Sequence, residues 1–335
     1  MNPSRPLLEV NGLSVRLQTQ RGLALAVRNM SFSLERGETL VLVGESGCGK
    51  SMTAMSLMGL LPENAQVNGS VRFDGEELVG MKEKDLCQLR GNRIGMIFQE
   101  PMTALNPVHT IGHQVAEPLR LHRGMNAADA RKQAVSLLDR VGIPDAGRRI
   151  DAYPHQFSGG QRQRVTIAMA LACEPVLLIA DEPTTALDVT IQQQILDLIS
   201  ELVAERGMAL ILISHDLGVI AQNVARMLVM YGGSVVESGP TESVFSRMAH
   251  PYTRGLFAAR PRLDDMKGQR LATIPGTVAE LVDLPPGCPF AGRCQFTIPH
   301  CFSVVPPPVQ VEPEHQARCL RLDAVAAAVA DGVYA

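Results

Sequence analysis

The run Gly44-Glu45-Ser46-Gly47-Cys48-Gly49-Lys50-Ser51 combines glycine spacing with a closing Lys-Ser pair, the pattern of a phosphate-binding loop. Glycines let successive backbone N–H groups turn toward one phosphate chain, and a helix opening behind them adds the positive end of its dipole. Lys50 would neutralise the outer phosphates and the Ser51 hydroxyl would ligate Mg²⁺, so the implied ligand is a nucleoside triphosphate. Cys48 reads either as a small inert filler or as an accessible thiol beside the phosphates. In the accessible case, alkylation blocks triphosphate binding and bound triphosphate protects the thiol. A second group with chemical purpose is Asp181-Glu182, which ends the apolar run Val176 to Ala180. The carboxyl edge of a parallel sheet is where such groups act. There Asp181 would help hold hydrated Mg²⁺, and Glu182 would orient or deprotonate the water that attacks the γ-phosphate. Alone, the acid pair is equally readable as a solvated strand end; together with the loop it reads as a hydrolytic site.

The elements that must carry these residues follow from periodicity. Alternating apolar residues predict paired strands over Leu7 to Leu17 and Ala24 to Leu34, then a buried strand from Thr39 to Val43 that feeds the glycine loop. Helical spacing is expected over Lys50 to Leu60, Ala127 to Val141, Ser158 to about Cys173, Ile191 to Arg206 and Leu217 to Val224. Short apolar strands are expected at Ile94 to Phe98, Val176 to Ala180, Ala209 to Ile213 and Met227 to Met230. Strand and helix in alternation imply an α/β chain with a parallel sheet. Composition shifts near Gly239, and 12 of the 22 prolines lie from Pro240 onward. A loop-rich, weakly regular second part is therefore expected over 241–335.

Over the 335 residues, 31 Lys and Arg face 34 Asp and Glu, so no broad charged field is available to collect nucleic acid. No apolar run approaches the ~20 residues a spanning helix requires. The start Met1-Asn2-Pro3 lacks the features of a secretory signal, and the expectation is a chain that stays in the reducing compartment where it is made. Of the seven cysteines, Cys48, Cys87 and Cys173 are scattered, and the late group Cys288, Cys294, Cys301 and Cys319 is not expected to form disulfides in such a compartment.

Phe157-Ser158-Gly159-Gly160-Gln161-Arg162 resembles the ABC signature sequence, standing before a predicted helix and ahead of the acidic pair. Other motifs occur in the order of that family: Gln99 in Ile97-Phe98-Gln99 resembles the Q-loop, Ala186-Leu187-Asp188 the D-loop, and His215 in Ile213-Ser214-His215-Asp216 the switch histidine. The resemblance implies a P-loop ABC cassette over 1–240, with an antiparallel β subdomain and a helical subdomain at about 100–172. It implies that Ser158, Gly159, Gly160 and Gln161 face the phosphate loop of a second ATPase subunit, self or paralogue. It further implies that Gln99 senses Mg²⁺ or the attacking water, and that His215 contacts the γ-phosphate. One departure is Leu17, which stands where the family places an aromatic that stacks on adenine; the only aromatic before the loop is Phe32.

Cys288, Cys294, Cys301 and Cys319 cluster late in the chain. Their spacing lacks the short paired intervals of ordinary zinc sites and is compatible with an iron–sulfur cluster or with separate buried thiols. Around them His250-Pro251-Tyr252-Thr253-Arg254, Ile274-Pro275-Gly276 and Gly287-Cys288-Pro289-Phe290 resemble the C-terminal extension of oligopeptide, dipeptide and nickel import ATPases, as does Tyr153-Pro154-His155-Gln156 earlier in the chain. The likeness runs from about Leu8 to Cys319. It implies a [4Fe–4S] cluster on the four cysteines, two membrane permease subunits, an extracytoplasmic solute-binding protein, and a peripheral position on the cytoplasmic membrane face. DNA-repair members of the family carry a long coiled coil and translation members usually two tandem cassettes, and this sequence has neither.

Overall fold

The structure, a computed structural model, describes residues 5–185, 187–214, 224–259 and 273–331. Along the chain the first elements are strands β1 (Leu8–Thr19), β2 (Gly22–Leu34) and β3 (Thr39–Val43), followed by helix α1 (Lys50–Met58). Next come β4 (Ala65–Phe73), β5 (Glu76–Glu77), α2 (Glu83–Leu89) and β6 (Ile94–Ile97). A helical stretch follows: α3 (Pro101–Ala104), α4 (Ile111–Arg123), α5 (Ala127–Arg140), α6 (Ala146–Arg149) and α7 (Gly159–Leu171). After it come β7 (Leu177–Asp181), α8 (Val189–Arg206), β8 (Ala209–Ser214), β9 (Arg226–Tyr231) and β10 (Ser234–Pro240). The last elements are α9 (Thr241–Arg247), α10 (Pro251–Ala258), α11 (Pro299–Ser303), β11 (Val309–Glu312), β12 (His315–Ala317) and α12 (Leu322–Ala330). The chain is α/β, and it divides into two compact units.

The first unit is built mainly from Arg72–Ile213. Its β6, β7 and β8 are parallel neighbours, with Ala180 opposite Ile97 and Leu212, and Asp181 opposite Ile213. Every residue of β7 and β8 is buried, which is why both read as unbroken apolar runs rather than alternating ones. The α4, α5 and α7 helices pack on one another, and α4 and α5 are capped at their starts by Thr110 and Asn126. Gly112 is required there by space, since a Cβ would lie 2.1 Å from Ile150 Cγ1.

The second unit holds the described parts of Glu9–Phe32, Leu40–Val71 and Ser214–Ala335. Here β2, β1 and β4 are hydrogen-bonded neighbours in that order, β3 pairs parallel with β9, and β9, β10, β12 and β11 continue antiparallel. The region beyond 240 is more regular than its prolines predict: it contributes four helices and two strands among the described residues. Its order rests on long-range pairing, as of β12 with β10, and on the buried Glu237. That carboxylate accepts from the backbone N–H groups of Ala249 and His250 and pairs with His315 Nε2 at 2.8 Å.

His250 caps α10, its Nδ1 accepting from Tyr252 N at 3.1 Å. Burial pushes its pKa down from 6.5 to about 4, with Glu237 opposing the shift. The folded state thus binds this proton more weakly than the unfolded chain, so the stability involved is fully present above about pH 6.5 and is lost as pH falls toward 4. Replacing His250 with Asn keeps a capping acceptor and removes the titration. The expected result, read by urea denaturation at several pH values, is a shallower loss of stability in the variant between pH 6.5 and 4.

Candidate functional site

The phosphate-binding loop lies in the second unit, between β3 and α1 as the sequence predicts. Gly49 closes it with φ +100°, a conformation that disfavours any side chain, and a Cβ there would meet Ala26 O at 2.2 Å. At Gly44 a Cβ would meet Met230 O at 2.3 Å, so the backbone of β9 also sets the path of the loop. No side chain caps the start of α1 and no acidic residue stands in its first turn. This helix end is thus suited to an anion. Lys50 is buried, and its ammonium donates to Gly44 O at 2.8 Å and Glu45 O at 3.1 Å, spanning the loop from within.

Cys48 is 2 % exposed, and burial, partly offset by Lys50, raises its thiol pKa. Of the two readings of this thiol, enclosure favours the inert filler: a protonated, enclosed thiol is a poor nucleophile. Iodoacetamide at neutral pH should modify the exposed Cys87 well before Cys48, and peptide mapping of the labelled protein checks the order.

The first unit carries the acidic pair. Asp181 ends β7 and is buried; Glu182 follows with φ 44°, a left-handed conformation that is strained for a glutamate, and its N–H donates to Ile213 O at 3.0 Å. Its carboxylate oxygen Oε2 accepts from Gln99 Nε2 and from Thr185 Oγ1, each at 3.1 Å. Gln99, placed after β6, and Glu182 are thus joined directly, and a proton acceptor at a strand end is held in one orientation by two donors. Thr185 escaped the sequence reading, although its position three residues after Glu182 in a turn was a usable signal. Oxygen donors such as the Ser51 hydroxyl and the Asp181 carboxylate have the hardness Mg²⁺ prefers.

Ser158, Gly159, Gly160 and Gln161 form the start of α7. Ser158 and Gln161 make a reciprocal capping box: the serine hydroxyl accepts from Gln161 N, and Gln161 Oε1 accepts from Ser158 N. Arg149 also donates to Gln161 Oε1 at 3.2 Å and lies over the Phe157 ring at 4.0 Å, a support absent from the sequence reading. A Cβ at Gly160 would lie 2.9 Å from Ile191 Cγ2, so small residues here let α8 approach α7. Together with Arg164, Leu187 and Asp188 these residues line an open pocket of about 700 Å³. Asp188 caps α8, accepting from Ile191 N at 3.0 Å. His215, Ala186 and the stretch 217–223 of the expected helix lie outside the described residues. Leu17 is half-buried on β1, and Phe32 is 8 % exposed within β2.

The four late cysteines are brought together: Cys288, Cys294, Cys301 and Cys319 line one pocket of about 10 Å³ with His250 and Phe290, and none is in a disulfide. Burial raises the thiols of Cys288 to about 12 and Cys319 to about 11, with the neighbouring thiols adding to the shift. Among the described residues no group of three or more His, Cys, Asp or Glu is arranged to hold a metal ion. The four thiols thus line one pocket, but the metal centre expected from the sequence is not shown among the described residues.

Residues 27–185 match the family model described as ABC transporter, and residues 236–301 match the model described as oligopeptide/dipeptide transporter, C-terminal region. A putative peptide import ATP-binding protein of Brucella melitensis biotype 1 is 50% identical over 335 residues, covering 96% of this chain and 99% of that protein. Another, from Brucella abortus strain 2308, is 54% identical over 302 residues, covering 90% and 91%. Among solved structures, the dimeric post-hydrolysis form of the ATP-binding cassette MJ0796 bound to ADP and Pi superposes with a TM-score of 0.63 at 29% identity, over 70% of this chain and 98% of that one. The cbiO1 protein from Clostridium perfringens, part of the ABC transporter complex cbiONQ, gives 0.60 at 28% identity, over 72% and 92%.

Proposed function

The chain belongs to the ABC transporter family of ATP-binding proteins, and on that premise we propose that it hydrolyses ATP to power import of peptides through separate membrane subunits. The observation that carries the hydrolytic half is the Glu182 carboxylate held by Gln99 and Thr185 at the end of a buried parallel strand. The phosphate-binding loop binds ATP through backbone N–H groups and Lys50. Glu182 takes a proton from water as the water oxygen bonds to the γ-phosphorus and the bond from that phosphorus to the β,γ-bridging oxygen breaks, releasing ADP and phosphate. Ser51, Gln99 and Asp181 are the residues that would hold Mg²⁺, which would supply charge neutralisation at the phosphates. His215 contacts the γ-phosphate in this reading, and Ser158, Gly159, Gly160 and Gln161 serve the ATP of a second ATPase subunit.

The peptide assignment is supported by the C-terminal match over 236–301 and by the relatives named for peptide import. We place the cassette at 1–240 and the extension at 241–335. Among the described residues no helix is long and apolar enough to cross a membrane. In this reading two permease subunits and a solute-binding protein complete the importer. Exposed Phe98, Val108, Leu121 and Tyr153, on and around the 101–149 helices, support docking of the permease there. Co-purification with the permease partners, followed by peptide-stimulated phosphate release, tests the proposal; hydrolysis indifferent to peptide and binding protein would remove the peptide assignment.

The four thiols suit an iron–sulfur cluster by donor chemistry, being soft ligands free of disulfides on one pocket. Room for about one water means that a cluster would set its own ligand spacing on binding, as metal sites coupled to folding do. Iron analysis and visible absorbance of anaerobically purified protein test this, and a colourless, iron-free, fully folded sample rejects it.

A further inference from the structure

We propose that Arg293 and Tyr252, both beyond residue 240, are positioning residues that hold the phosphate-binding loop in its ligand-ready shape, so that this segment sets ATP affinity. The proposal rests on the ATPase reading and adds to it a role for residues that carry no phosphate-binding pattern of their own.

Glu45, the second residue of the loop, is held at both ends. Its carboxylate takes two hydrogen bonds from the Arg293 guanidinium, 2.7 Å from Nη1 to Oε2 and 3.2 Å from Nη2 to Oε1. Its backbone N–H donates to the Tyr252 hydroxyl at 2.8 Å. Neither anchor is loose. The Arg293 side chain is 8 % exposed, and its other donors reach Pro275 O at 2.9 Å, Ile274 O at 3.4 Å and the Tyr231 hydroxyl at 3.4 Å. Tyr252 is fully buried, its ring 4.7 Å from that of Tyr231 and 5.4 Å from that of Phe290. Arg293 lies 248 residues from Glu45 in sequence, and Tyr252 lies 207 residues away.

A loop with glycines at 44, 47 and 49 has little stiffness of its own, because glycine loses more conformational freedom on ordering than any other residue. Binding phosphate to a floppy loop means ordering it at that moment, which weakens affinity; a loop ordered beforehand avoids the loss. A bidentate guanidinium–carboxylate pair and one buried hydroxyl supply that order from outside, while Lys50, donating to Glu45 O, supplies it from inside. Because the pair acts by ordering the loop, its removal should weaken ATP binding more than it slows the chemical step.

The test uses the full-length protein, MgATP titrations by equilibrium binding and phosphate release at varied ATP. Arg293→Met is expected to raise both Kd and KM for ATP about tenfold, as loss of a charge-assisted pair does, while kcat at saturation stays within about twofold. Glu45→Gln should raise the Kd for MgATP by a similar factor, and the double variant should bind no more weakly than either single one, the signature of a shared contact. Arg293→Lys, which keeps the charge and loses the fork, should recover part of the affinity. Should Arg293→Met not fold, Tyr252→Phe removes the second anchor alone and should raise Kd severalfold. Unchanged Kd in the folded variants, additive losses in the double variant, or a fall in kcat at constant KM would each overturn the clamp. A wild-type protein that neither binds nor hydrolyses MgATP would instead overturn the ATPase reading.

Discussion

Glu182→Gln should lower steady-state phosphate release by about a hundredfold or more, the range for loss of a general base, while leaving MgATP binding near the wild-type level. The Glu182 carboxylate is the acceptor toward which Gln99 and Thr185 are both aimed, and glutamine preserves its length and volume without its basicity. Loop, lysine and strand are untouched by the change, so ATP should bind and then persist. An ATP-dependent dimer that survives gel filtration is the second expected readout. Hydrolysis within about twofold of wild type would show that another group activates the water.

Gly49→Ala should destabilise the fold by about 4 kcal/mol and abolish ATP binding in whatever remains folded. Two effects combine. A non-glycine residue at φ +100° is strained by roughly 1–2 kcal/mol, and overpacking against fixed structure adds about 1–3 kcal/mol. The obstruction is backbone, Ala26 O at 2.2 Å, and cannot swing aside as a side chain tip would. Urea denaturation measures the first expectation, and MgATP titration of the folded fraction the second. Gly47 offers an internal comparison: it has φ +78° but open space around it, so alanine there should pay only the conformational part.

Much of the site was legible because its chemistry is local. Asp181 and Glu182 announce themselves as the end of an apolar run, since a strand buried on both faces must be apolar throughout and its end is where polarity can return. The loop is legible because glycines and Lys-Ser at that spacing serve one purpose, and Ser158 and Gln161 because a capping box is a four-residue event. Other features carried no local signal. The β4 strand contains Asn68, Gly69 and Ser70, poor strand formers, and is held by close backbone approach: a Cβ on Gly69 would meet Gly12 O at 2.6 Å. Strand β12 is three residues long and exists by pairing with β10 and β11.

Sequence alone therefore determined the α/β pattern, a glycine-rich loop ahead of a helix, an acidic pair at the end of an apolar strand, and the late run of cysteines, all features encoded within a few consecutive residues. Tertiary structure decided which distant groups meet: Gln99 with Glu182 across 83 residues, Arg149 with Gln161, four cysteines on one pocket, and Arg293 with Glu45. It also decided that Cys48 is enclosed and that prolines beyond 240 coexist with regular elements. Periodicity reports which face of an element is buried; it holds no information on which other element arrives to bury it, and that choice is made by packing of the whole chain.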